Sequence, residues 1–98
     1  MTNLKLFIQE KRNNFTNFLL ELFPNSEKVK MDINKYKFIG IPEFLLYVRQ
    51  NIEPHKDNLE SYIQTNFKSY FPNEKYNIEK NNINKLVKYL EMFIDLSK

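Results

Sequence analysis

The single histidine, His55, lies in the run Glu53-Pro54-His55-Lys56-Asp57-Asn58-Leu59-Glu60, where His55, Asp57 and Glu60 have the donor types of a divalent-metal site. A helix starting here would want acidic residues in its first turn for its own dipole, and metal sites gather further convergent ligands with supporting hydrogen bonds. The run therefore reads as helix-start chemistry, with no metal and no cofactor. Other reactive groups are as sparse. Ser26, Ser61, Ser69 and Ser97 stand in no nucleophile elbow, and His55 is their only available imidazole base. None of the 12 acidic residues has an apolar setting that would tune it for proton transfer. One glycine excludes a phosphate-cradling loop, and zero cysteine excludes thiol nucleophiles, disulfides and cysteine-ligated zinc. The expectation is a protein that is not an enzyme and has no small-molecule substrate.

Binding chemistry has more material. Lys28, Lys30, Lys35 and Lys37 cluster around Tyr36 and Phe38, a basic stretch interleaved with rings that suits phosphates and stacked bases. Arginine is the usual reader of base edges and only Arg12 and Arg49 are present, so nucleic-acid binding here would ignore sequence. The second candidate is the C-terminal segment. Ile83, Leu86, Val87, Leu90 and Ile94 recur at helical spacing, Tyr89, Met92 and Leu96 repeat that spacing on another face, and Phe93 joins the two stripes. A single packed core asks for one stripe, and the second suits either a neighbouring helix or a helix-in-groove partner. Tyr89, Met92, Phe93 and Leu96 are the expected partner-binding residues, with Leu6 and Leu20 added from the side of the first helix opposite its main stripe.

These residues need elements to hold them. Leu4, Phe7, Ile8, Phe15, Phe18, Leu19 and Leu22 share one face of a helix over 3–23, which Pro24 and Asn25 stop. Residues 26–37 suit a strand by alternation and a helix by wider spacing; with no second strand to pair with, helix or loop is preferred. Pro42 opens a short helix to Ile52 whose Phe44, Leu45, Leu46, Tyr47 and Val48 cover every side, which marks it as the centre of the core. Asp57 and Glu60 resemble a capping box for a third long helix ending at Phe71, Pro72 and Asn73. Asn81 or Asn82 then caps the last helix. The expected fold is all-α: a compact bundle of four main helices forming one domain over 1–98, with a core drawn from Phe18, Leu22, Phe44, Leu45, Val48, Ile63, Phe67, Leu86, Val87 and Leu90. Three triplets beginning at Thr16, Phe23 and Ile33 recur in order from Thr65, Phe71 and Ile83, the pattern two related helical hairpins would leave.

Composition tempers the charge argument. The chain has no alanine, against 14 Asn, 13 Lys and 9 Ile, a bias that follows AT-rich codons of the kind found in low-GC bacteria, protists and large DNA viruses. A formal net charge of +3 then owes as much to the genome as to a polyanion. No leader-like run and no span of roughly 20 apolar residues occurs, so an intracellular, cytoplasmic protein without a membrane role is expected, in the host cytoplasm or the virion for a virus. The leading functional expectation is a small protein-protein interaction module or accessory subunit docking a partner, or itself as a homo-oligomer, through its last helix. Nucleic-acid association through the four lysines is the alternative, and an immunity or host-defence-blocking protein is a third reading that differs from the first only in its partner.

Overall fold

The N-terminal helix is the longest element among the described residues. In the computed structural model, which describes residues 2–70 and 78–98, helix α1 spans Thr2–Leu22, and the described residues extend over 44 × 28 × 21 Å. Pro24 ends α1, since it disfavours helical backbone in the residue before it. The amide of Phe23 still reaches the carbonyl of Leu19 at 2.9 Å, and the chain turns at once into α2, Glu27–Phe38. Ser26 caps α2: its hydroxyl accepts a hydrogen bond from the Val29 amide at 3.3 Å. Glu27 in the first turn and Lys35 and Lys37 in the last match the helix dipole. The ambiguous segment is thus a full helix, and the described residues hold five α-helices where four were expected.

Helix α3, Ile41–Asn51, carries Pro42 in its first turn and is followed by a 3-10 segment, Glu53–Asn58. Helix α4 is short, Leu59–Asn66, and runs into a second 3-10 segment, Phe67–Tyr70. The expected capping box does not form. Asn58, not Asp57, precedes α4 and makes no side-chain capping bond, and Glu60 instead pairs with Lys80 at 2.5 Å. The expected stop at Phe71, Pro72 and Asn73 lies outside the described residues. Helix α5, Lys80–Ser97, begins after Glu79, two or three residues before the predicted cap.

The centre of the core is α5, not α3. Ile41, Phe44 and Val48 turn one face of α3 inward, while Leu45 is half-buried and Leu46 is 51% exposed. Helix α5 packs against α1, α3 and α4, and Leu86, Leu90 and Phe93 are 0–2% exposed. Phe93 meets Phe15 of α1 edge-on at 5.6 Å and Phe44 of α3 at 5.1 Å, which binds three helices through one ring. A helix with neighbours on three sides buries a broad face, and this accounts for most of its second apolar stripe. Seven of the ten expected core residues are buried; Leu22, Leu45 and Val87 pack against the core without being enclosed.

Among the described residues Arg12 is the one charged side chain driven inside, at 6% exposure. It donates to the carbonyl of Ile39 at 2.6 Å and lies 5.5 Å from the centre of the Phe44 ring, so it fastens α1 to the α2–α3 junction. Burial lowers its pKa. The repeated triplets compare unevenly: Phe18 and Phe67 are both buried, yet one sits in a 21-residue helix and the other beyond an 8-residue one; Ile33 and Ile83 are both buried within helices; and the triplet from Phe71 lies outside the described residues.

Candidate functional site

Helices α1 and α5 run antiparallel, with Phe15 against Tyr89 and Phe93 and Phe18 against Tyr89. That register decides which apolar residues are left over. Leu4 and Phe7 lie on the same side of α1 as Phe15 and Phe18, yet they fall about a turn and one residue, respectively, before Ile8, the first buried residue of the helix. Leu4, Leu6 and Phe7 are 51%, 59% and 41% exposed. Leu4 and Phe7, expected on the core face, are therefore at the surface, although Ile8 directly after Phe7 is enclosed.

A shallow groove of about 250 Å³ adjoins this end, between α1 and α5, lined by Lys11, Lys85, Lys88, Tyr89 and Met92. Lys11 stands 5.4 Å above the Phe7 ring and Lys85 4.6 Å above the Phe18 ring. None of the three lysines makes an ion pair among the described residues. Of the expected docking residues, Tyr89, Met92 and Leu96 keep part of their surface, and Leu6 stands free on the outer side of α1. One is corrected: Phe93 is 1% exposed and belongs to the core. Leu20 is half-buried against the core like Tyr89, Met92 and Leu96, but it does not line the α1/α5 groove.

The lysine cluster divides. Lys28 and Lys35 are two turns apart on one side of α2, whereas Lys30 and Lys37 lie on roughly the opposite side, because the helix advances about 100° per residue. Met31 and Phe38, 70% and 89% exposed, separate the pairs on the outer face. Lys30 forms a loose pair with Glu27 at 3.6 Å. Arg12, counted among the available arginines, is interior and cannot meet a nucleic acid.

Lys28 and Lys35 line a second cavity, a cleft of about 330 Å³ between α2, α3, α4 and the 3-10 segment that follows α4. Four of the six tyrosines meet there: Tyr36, Tyr47, Tyr62 and Tyr70. Tyr70 donates to Asp32 Oδ2 at 2.6 Å, and the hydroxyls of Tyr36 and Tyr47 approach to 3.4 Å. Burial raises all three shifted phenols. Tyr62 is pushed up to about 12, and Tyr36 and Tyr70 go further, each helped by its hydrogen-bond partner. Sequence reading missed this cleft, since its rings come from four elements and no spacing links them. His55 stacks on Tyr62 at 4.7 Å, and among the described residues no three His, Cys, Asp or Glu side chains group to hold a metal. No helix among them is long and apolar enough to cross a membrane.

No protein-family model, curated protein or solved structure matches this chain.

Proposed function

We propose that this protein is a non-enzymatic docking module that binds a protein partner along the α1/α5 edge. The observation that carries the reading is the exposed apolar end of α1, where Leu4, Leu6 and Phe7 stand in solvent and Phe7 meets Lys11 at the rim of the groove floored by Tyr89 and Met92. Burying one such side chain is worth about 1.5–3 kcal/mol, so a few anchors suffice for a specific contact. Lys11, Lys85 and Lys88 rim the groove, which favours an acidic partner over a second copy of the chain, whose own lysines would repel. Whether that partner belongs to the same cell or is a host or toxin protein does not change the contact.

The test pairs two variants with recovery of the partner. Tagged protein is drawn from its own cell or virus with nuclease present, beside Phe7→Glu and Met92→Asp forms whose helicity is checked by circular dichroism. Both substitutions place a carboxylate where an apolar contact should be, so stoichiometric recovery should drop by at least about tenfold while helicity holds. A partner retained equally by both folded variants would place the interface elsewhere.

A further inference from the structure

From the tyrosine cleft we infer a second site, independent of the docking edge: a pocket for one nucleotide, its phosphate held by Lys28 and Lys35 and its base laid against the tyrosine rings.

The distribution of hydroxyls is the first argument. Around α5 the rings are mostly phenylalanine, with Phe15, Phe18, Phe44 and Phe93 buried and Tyr89 half-buried beside them. At the cleft four tyrosines gather beside Phe67: Tyr70 is buried and bonded to Asp32, while Tyr36, Tyr47 and Tyr62 are half-buried and line the cavity. A core needing only volume gains nothing from that choice; a wall meant for a polar ligand does.

Charge is the second. Asp32 sits one turn from Lys28 and one from Lys35, the spacing at which helix ion pairs form, yet it pairs with neither. It accepts from Tyr70 instead, at 2.6 Å through Oδ2. Both ammonium groups are left without a carboxylate among the described residues, so the α2 wall of the cleft carries an excess of one positive charge. Asp32 Oδ1 makes no hydrogen bond among the described residues and remains able to accept one.

Shape is the third. Tyr62 is already stacked on His55, 4.7 Å apart and 27° from parallel, which fixes the plane of a ring that lines the cavity. Base-aromatic stacking is worth about 1–3 kcal/mol per base and tolerates any base. A volume of about 330 Å³ is at the small end of ligand sites and admits one nucleotide rather than two. An anion for the lysines, a flat ring for the tyrosines and a donor for Asp32 describe a nucleotide, either free or as one unit of a single strand.

Calorimetric titration of the full chain with adenosine monophosphate, adenosine and a single-stranded eight-residue oligo(dA) tests this. The monophosphate should bind saturably and adenosine about tenfold or more weakly, since only the former has the phosphate. The Lys28→Ala/Lys35→Ala double variant should lose about tenfold or more for the monophosphate, whereas Lys30→Ala/Lys37→Ala, with the same change in net charge but on the far side of α2, should not. An oligonucleotide that binds far more tightly than the monophosphate identifies a strand as the source; equal affinities identify a free nucleotide. Absence of saturable binding by all three probes, or equal losses in the two double variants, would overturn the site.

Discussion

Phe93 shows how one residue can hold a small bundle together. Its ring contacts Phe15 and Phe44 edge-on and is 1% exposed, so Phe93→Ala would open a void that three helices share. Removing such a ring costs about 3–5 kcal/mol, a large fraction of the stability of a domain of this size, and a urea midpoint should fall accordingly. A midpoint unchanged by the substitution would show that α5 does not pack as described. The tyrosine cleft gives the second residue-scale expectation. In the unfolded chain these phenols ionise near their ordinary value of 10.0, while the fold holds Tyr62 at about 12 and Tyr36 and Tyr70 higher still. Above pH 10 the unfolded chain sheds protons that the fold retains. Stability is therefore level below that pH and falls as pH climbs through the folded values. Tyrosinate absorbance and helical ellipticity, followed together, should change as one transition in this window; early ionisation with intact helicity would mean the hydroxyls are open to water.

At the scale of elements, legibility tracked how local the cause was. Helices α1, α3 and α5 were readable because periodicity and punctuation by Pro24 and Pro42 lie within each segment. Helix α2 was left open although its signals were present: Ser26 caps it, with Glu27 behind and Lys35 and Lys37 at the far end. Alternation at Val29, Met31 and Ile33 obscured them, and only Val29 and Ile33 turned out to face inward. Ser26→Ala should cost about 1 kcal/mol, visible as a lower melting temperature, because the amide of Val29 loses its acceptor. What sequence could not supply was relative placement. The surplus stripe of α5 was visible from spacing, but whether helices or solvent met it depended on where α1, α3 and α4 lie. The same holds for the docking residues, of which Tyr89, Met92 and Leu96 kept some surface and Phe93 kept almost none. Leu4 and Phe7, which share the main apolar stripe of α1 on the helical wheel, are exposed in the fold, and spacing alone does not distinguish them from Phe15 and Phe18.

For the whole molecule, the net charge of +3 matters less than how it is partitioned. Three lysines rim the α1/α5 groove and two flank the tyrosine cleft, while Lys30 is paired with Glu27 and Lys80 with Glu60. Two basic surfaces with different floors, one apolar and one hydroxyl-lined, can serve different ligands without competing. The central position of α5 has a further consequence, which concerns the order of events during synthesis. The helix that touches α1, α3 and α4 is the last of the five to be made. At roughly 5–20 residues per second, α1 waits several seconds on the ribosome before the partner of Phe15 emerges. Contacts of α1 with α2 and α3, the Arg12 bond to Ile39 among them, need nothing from α5, whereas the ring cluster around Phe93 needs it. The earlier helices therefore keep the faces that meet α5 uncovered until it is made, and the core closes with the last helix.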